Sequence, residues 1–397
     1  MSAGPRRWRV ALAATHPIQY QVPWFRTLAR HPRIELRVFY ALLPDTRQQG
    51  VGFDMPFTWD IPMFDGYDWE ALENSAAQPN LGGFLASSTP GVGRALAAFR
   101  PDVVIITGWH ALPLLQALWA CMRLGLPRIL RGESNAMRLR PWWVRLIHRT
   151  LFGFIDGFLA IGRSNRALYL GYGVPQERIF EGVYFVDNER IRAQFEAAHA
   201  RRDDLRAKWG IPSGAFCLLY AGKLQPKKRI LDLMRALSLA YRSNPGLYLL
   251  VAGSGELMDE ARVFASAEQL PVTFAGFLNQ TELPQAYACS QCLVLPSDYG
   301  ETWGLVVNEA MVCGLPAIVS DRVGCGPDLV DDGSTGRIFP FGDVAALART
   351  MLELAGDPAQ AAAMGERARQ RVAAYSVEAA AEGTVSAIEY VLAKRRR

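Results

Sequence analysis

Lysine is scarce in this 397-residue chain. Of 43 basic residues only five are lysine, and three of those, Lys223, Lys227 and Lys228, fall within six positions. A solvated cluster is the plain explanation; a set of flexible point charges meeting phosphate is the sharper one. Runs of one charge are absent except Lys394-Arg395-Arg396-Arg397, and the net charge is only +5, which argues against nucleic acid as the main partner. Cysteine is sparse as well. The pair Cys289-x-x-Cys292 has no second pair at similar spacing, since eleven residues separate Cys313 from Cys325. Buried thiols in a reducing cytoplasm are therefore expected, and no metal site. No apolar run is long enough for a membrane span. The twenty uncharged residues between Asp102 and Arg123 are interrupted by Gly108, His110, Pro113 and Gln116. The opening Met1 to Gln21 carries Arg6, Arg7 and Arg9 before a short apolar run that ends in His16-Pro17, unlike a secretory signal. Low-complexity tracts are missing too, and with half of the residues hydrophobic and a fifth charged the chain reads as ordered and globular.

What is present is alternation. Short β-rich runs alternate with helical periodicity, the pattern of a parallel sheet with crossover helices. Strands are expected near 8–14, 34–40, 103–106, 127–130, 157–160 and 178–181, with helices near 20–30, 90–99, 110–124, 141–153 and 163–171. A charged helical stretch from Glu189 to Lys208 separates this series from a second, with strands near 216–221, 247–252, 272–274, 292–295 and 316–319 and helices near 228–241, 256–268, 281–288 and 304–313. After Pro340 only helical pattern remains, ending in Ser376 to Lys394, where Val377, Ala381, Val385, Ile388 and Val391 form a stripe. The expected division is an α/β domain over 1–186, a second over 187–375, and a terminal helix with a basic tail over 376–397.

Three stretches of the second half carry chemistry. At the first expected strand end stand Gly222-Lys223-Leu224-Gln225-Pro226-Lys227-Lys228-Arg229; glycine lets backbone approach a ligand, and the lysines can neutralise a diphosphate. The spacing is not that of a P-loop, so nucleotide hydrolysis of that type is not expected. Gly253-Ser254-Gly255-Glu256 begins like a dinucleotide fingerprint, but Met258 replaces its third glycine, which leaves a tight turn and a ligand role as equal readings and makes a dinucleotide oxidoreductase the weakest class. The third stretch, Pro296 to Ala310, ends a strand, passes a glycine-containing loop and starts a helix around Gly304. Amides from Thr302 through Gly304, Leu305 and Val306 would face an anion, while Glu301 and Glu309 could accept hydrogen bonds from sugar hydroxyls. An acid at a helix start also stabilises the helix by itself, which would account for Glu301 but not for Glu309.

These residues resemble a known family, the retaining nucleotide-sugar glycosyltransferases of family 4, whose fold is GT-B. Glu301-x7-Glu309 with Gly304-Leu305 resembles its signature, continued by Gly314 to Val319, Gly324 and Gly333-Ser334-Thr335-Gly336; Phe274-Ala275-Gly276-Phe277 and Tyr287 to Ser297 also fit. The resemblance implies two Rossmann-like domains facing a central cleft, with the C-terminal helix crossing back to the first. It implies that Lys223 and Lys228 contact the donor diphosphate, that Glu309 binds ribose and Glu301 the transferred sugar, and that the loop after Gly276, with Phe277, faces the nucleobase. Two positions depart from the pattern: Lys223 stands for the usual arginine, and Arg229 for the glycine usual after Lys228. Gly108-Trp109-His110-Ala111 is similar to a segment of bacterial glycogen synthases whose histidine lies beside the donor sugar, so His110 joins Glu301 and Lys228 as a catalytic candidate; a core-facing histidine is the plainer alternative. Thr15-His16-Pro17-Ile18-Gln19-Tyr20-Gln21, where many relatives carry a Gly-Gly loop, resembles a polysaccharide-biosynthesis subgroup, and His16, Gln19, Arg131 and Glu133 are the acceptor-side candidates.

The implied activity is sugar transfer from a UDP- or GDP-sugar to an acceptor hydroxyl, with no cofactor or metal, in exopolysaccharide, lipopolysaccharide or other cell-envelope glycan synthesis. A sugar-nucleotide epimerase of the same fold and a non-catalytic sugar-nucleotide-binding subunit are the alternatives. Arg138 to Arg149 interleaves four arginines with Trp142-Trp143 and aliphatics, suiting either an anionic membrane surface reached by a cytoplasmic, peripheral enzyme with a lipid-linked acceptor, or an ordinary helix packed on its sheet.

Overall fold

Apolar β-branched runs separated by helical segments fold here as two parallel sheets. The computed structural model describes residues 7–395, so Arg6, Arg396 and Arg397 of the basic segments noted above lie outside the described residues. The chain divides into two units. The first takes residues up to Gln49, Pro62–Tyr184 and the chain from Val377; the second takes Gly50–Ile61 and Phe185–Ser376. Sequence order alone would have kept 50–61 with the first unit, but its contacts are with the second.

In the first unit the strands β1 (Trp8–Ala14), β2 (Ile34–Tyr40), β3 (Asp68–Ala71), β4 (Val103–Ile106), β5 (Arg128–Leu130), β6 (Gly157–Ala160) and β7 (Ile179–Glu181) form one sheet in the order β3-β2-β1-β4-β5-β6-β7. All pairs are parallel. The central strands are buried on both faces, which is why they read as near-continuous apolar runs. β3 escaped the sequence reading because it is a charged edge strand, Asp-Trp-Glu-Ala, held by Arg37, whose Nε lies 2.7 Å from Asp68 Oδ2.

The helix Val377–Arg395 belongs to this unit, as expected of a C-terminal helix crossing back. It packs on the helix Val22–Arg30 and on β6 and β7: Trp24, fully buried, donates its indole N–H to Thr384 Oγ1 at 3.2 Å, and Phe180 meets Tyr390 with ring centroids 5.4 Å apart. Val377, Ala381, Ile388 and Val391 of the expected stripe are buried; Val385 is only half-buried, and Thr384 takes the inward position.

The helix Trp142–Gly153 keeps its tryptophan pair out of the core. Only Phe152 is buried; Trp142 and Trp143 are 76% and 53% exposed. Phe152 joins the core of the unit, and His148 Nε2 accepts from the Trp109 indole at 3.1 Å, while the tryptophan pair stays largely exposed.

The second unit builds its sheet from β8 (Phe216–Ala221), β9 (Leu247–Ala252), β10 (Val272–Gly276), β11 (Cys292–Leu295), β12 (Ala317–Ser320) and β13 (Gly336–Phe339), in the order β10-β9-β8-β11-β12-β13, again all parallel. β13 is a second strand the pattern reading missed. The charged stretch 189–208 is two helices, Asn188–His199 and Arg202–Lys208, the first capped by Asp187, whose Oδ1 accepts from the Arg190 amide at 3.1 Å. All six cysteines are free and buried; burial pushes the Cys289 thiol up to about 11 and the Cys217 thiol up to about 12. Among the described residues no helix is long and apolar enough to cross a membrane.

The seat of the C-terminal helix can be tested at Gly383, where an added Cβ would fall 1.6 Å from the Glu181 carbonyl oxygen. Gly383→Ala should lower stability by roughly 1–3 kcal/mol even though alanine is the better helix former. Gly356→Ala, with nothing near its Cβ position, should be neutral or stabilising. Thermal unfolding of the two variants makes the comparison, and an unharmed Gly383→Ala would mean that the helix is not seated on β7.

Candidate functional site

In a doubly wound sheet, ligands bind outside the carboxyl ends of the strands where the strand order reverses. In the second unit the reversal lies between β8 and β11. The loops leaving these two strands carry Gly222 to Lys228 and Ser297 to Gly304, the stretches that the sequence marks.

Gly222 has φ +143°, and nothing lies within 4 Å of where a Cβ would sit, so its missing side chain leaves room beside the strand end. Gly253, after β9, has φ +149° as well, and a Cβ there would also stand 1.9 Å from the Gly222 carbonyl oxygen. The Gly253-Ser254-Gly255 turn thus brings backbone against backbone between neighbouring strand ends.

Lys228 and Glu301 are ion-paired, with side chains only 15% and 14% exposed, and Ser297 Oγ lies 3.4 Å from Glu301 Oε2. The residues expected to touch diphosphate and sugar separately therefore meet each other directly. Such a pair persists in poor solvent because each charge compensates the other, and a polyanion arriving at Lys228 would release Glu301 for hydroxyl groups. Lys227, between the other two lysines, is exposed. Lys228 precedes the helix Ile230–Tyr241 rather than beginning it: Pro226–Lys228 is a 3-10 turn, and Arg229 has φ +57° and ψ 37°. The departure at Arg229 is therefore a matter of backbone conformation, since glycine adopts this left-handed geometry without the cost of roughly 1–2 kcal/mol that a side chain meets. Arg229 Nε also donates to Asp232 Oδ2 at 2.6 Å.

Gly304 stands in the left-handed region, φ +102°, at the start of the helix Leu305–Val312, so the first-turn amides of Leu305 and Val306 emerge at the reversal point. Glu309 lies within this helix at 2% exposure and accepts from the buried Tyr287 hydroxyl at 2.8 Å. Tyr287 was not singled out from sequence as a partner of the carboxylate; the only signal was a tyrosine in a helix preceding the site strand.

Lys223 directs its ammonium to the Val51 carbonyl, 2.7 Å away, and over the Phe53 ring, 4.8 Å from the centroid. Burial, reinforced by the charges of Lys227 and Lys228, holds its pKa below the usual lysine value. Phe277, after β10, packs against Phe53 and Phe57, with centroids 4.8 and 4.4 Å apart. Val51, Phe53 and Phe57 are site neighbours that sequence reasoning missed; the spacing of Phe53, Phe57 and Trp59 was the available sign that this loop packs on something.

In the first unit, His16 and His110 line one cavity of about 180 Å3 with Thr15, Asn80 and Ser87. His110 is exposed two residues before the helix Leu112–Arg123, not turned into the core. Gln19, Arg131 and Glu133 do not line this cavity. Arg131 is 1% exposed, its guanidinium 5.2 Å from the Trp24 ring centroid and 4.9 Å from that of Tyr184, and Glu133 accepts from the Tyr184 hydroxyl at 2.6 Å. Among the described residues no group of three or more His, Cys, Asp or Glu gathers to hold a metal.

Comparison with known proteins follows the same lines. Residues 201–371 match the family profile "Glycosyl transferases group 1" and residues 57–180 that of a "Glycosyl transferase 4-like domain". A glycogen synthase of Mycobacterium tuberculosis is 36% identical over 182 residues, 45% of this chain and 43% of the relative. The chain thus spans less than half the length of that relative. A GDP-mannose-dependent alpha-mannosyltransferase of the same organism is 30% identical over 262 residues, 63% of each chain. The crystal structure of Anabaena Alr3699/HepE in complex with UDP and glucose superposes with a TM-score of 0.70 over 96% of this chain and 100% of that one, at 16% identity, a likeness of fold.

The depressed Lys223 amine makes pH a test of the site. An amine with a lowered pKa loses its charge at a lower pH than an ordinary lysine, so affinity for a nucleoside diphosphate should begin to fall earlier on the alkaline side. Lys223→Arg, which stays protonated, should carry that limb to higher pH. Titrating both proteins with the same ligand cancels the ligand's own ionisation, and coincident profiles would mean that Lys223 does not meet the anion.

Proposed function

The chain belongs to the group 1 (family 4) glycosyl transferases with the GT-B fold, and on that premise we propose that it moves a sugar from a UDP- or GDP-sugar to an acceptor hydroxyl with retention. One observation carries the reading: the half-buried Lys228–Glu301 pair at the reversal point of the second sheet, beside the open space at Gly222 and the helix start at Gly304. In the proposed reaction the anomeric C–O bond to the diphosphate breaks and a bond from the acceptor oxygen forms on the same face. The acceptor proton passes to the departing phosphate. The protein positions the reactants and disperses the leaving-group charge through Lys223, Lys228 and the first-turn amides, which supplies catalysis without a metal. Glu309 takes the ribose hydroxyls and Glu301 the transferred sugar, with His110 beside it. His16, Gln19, Arg131 and Glu133 form the acceptor side, Arg131 by backing Glu133.

The acceptor we propose is a cell-envelope glycan, lipid-linked and reached at the cytoplasmic membrane surface. Support comes from the helix Trp142–Gly153 and its approach, where Leu139, Trp142, Trp143, Leu146 and Ile147 are all more than half exposed. Arg138, Arg145 and Arg149 are exposed among them, and no acidic residue occurs from Ser134 to Ile155. Apolar rings flanked by arginines suit the interface of an anionic bilayer, at about 1 kcal/mol for each basic residue near the surface.

Site variants and vesicle binding test these readings. Lys228→Ala should reduce kcat by on the order of 10²-fold, and Lys227→Ala far less. Glu309→Gln should weaken binding of the free nucleoside diphosphate, while Glu301→Gln should spare binding and slow transfer. Equal losses at all lysines, or the reverse order of the carboxylates in calorimetry, would overturn the assignment, and an isomerised sugar nucleotide as product would favour the epimerase. For the membrane surface, sedimentation with anionic vesicles should carry the protein down, and replacement of Arg138, Arg140 and Arg145 by Ser should release it. Absence of binding would favour a soluble acceptor.

A further inference from the structure

Residues 50–61 form no strand and no helix after Gly50, yet they are fastened across the carboxyl edge of the second sheet. Three of their carbonyls each accept from a side chain beyond a different strand. Val51 accepts from Lys223, after β8, at 2.7 Å. Phe53 accepts from Ser254, after β9, at 2.5 Å. Thr58 accepts from Asn279, after β10, at 2.7 Å. Asp60 adds a clasp, its carboxylate accepting from the Thr281 amide at 3.1 Å. Between these points Phe57, 8% exposed, lies 4.4 Å from Phe277 with the rings 36° apart, and Phe53 closes on both. The segment thus runs along the carboxyl ends of β10, β9 and β8 and reaches the edge of the reversal point, where ligands of such sheets bind.

We propose that residues 51–60 are a self-occupying strap on the nucleotide side of the donor site, in which Phe57 covers the face of Phe277 and the Val51 carbonyl holds the Lys223 ammonium, and that the donor binds by exchanging for both. The inference rests on the donor reading above, in which the base lies against the loop of Phe277 and the diphosphate meets Lys223. Chemically the strap imitates its competitor: an aromatic ring stands for the base and a carbonyl oxygen for a phosphate oxygen. Its attachment consists of side-chain contacts and a ring cluster without any sheet ladder, so it can leave without disturbing the sheet. The occupied fraction lowers apparent donor affinity, because only the released fraction can bind.

Calorimetry of wild type, Phe57→Ala and Asp60→Ala with UDP and with GDP tests this, together with amide hydrogen exchange over 51–60. Phe57→Ala removes the ring that covers Phe277; Asp60→Ala loosens the clasp at Thr281 and leaves the aromatic cluster intact. Both variants should bind whichever nucleotide the wild type prefers more tightly, Phe57→Ala by on the order of tenfold, and saturating nucleotide should speed exchange of the strap amides in the wild type. Weaker binding by the variants, with slower strap exchange on nucleotide addition, would make the segment a fixed wall of the site and overturn the strap. Unchanged affinities with a wild type that binds nucleotide would overturn the strap alone. If neither wild type nor variants bind UDP or GDP, the donor reading fails and the strap fails with it.

Discussion

Because every strand of the second sheet runs the same way, all its carboxyl ends open on one edge, and at the reversal between β8 and β11 the two departing loops separate and leave room between them. The site depends on this constraint. It brings Lys228, from a turn after β8, to Glu301, from the loop after β11, although 73 positions separate them in the chain. Partial exclusion of water makes each charge the other's necessary partner, and it also makes the pair responsive. A polyanion that takes the lysine changes what the glutamate can do.

Around that pair, local backbone geometry sets how closely a ligand can approach. Gly222 leaves open space at the strand end, whereas Gly253, at φ +149°, also makes room for the Gly222 carbonyl that presses on it. Arg229 accepts a left-handed conformation that a glycine would adopt more easily, and its ion pair with Asp232 offsets part of that cost. The helix start at Gly304 adds amides to the same small volume. Lysines and first-turn amides thus stand at the same strand ends, although the whole chain is only mildly basic.

The elements legible in the sequence were those whose burial imposes a pattern. β1, β4, β8 and β11 are buried over most of their length and read as apolar runs. β3, an edge strand stabilised by Arg37, carries acids at alternate positions and looked like loop. The helix 142–153 was legible as a helix, but which face was covered was not. A tryptophan pair is equally compatible with a core and with a surface, and only the packing of His148 and Phe152 shows that the pair remains outside.

The sequence by itself determined the two α/β series, the glycine, lysine and glutamate motifs at their strand ends, and the family those motifs belong to, since local pattern and spacing carry that information. Tertiary structure decided who meets whom. Glu301 pairs with Lys228, Glu309 is held by Tyr287, Arg131 lies buried between Trp24 and Tyr184, and a loop that follows the second strand joins the other unit at Lys223 and Phe277. The physical reason is that a contact between residues far apart in the chain depends on sheet order and loop path. Neither leaves a periodic trace in the residues that make the contact.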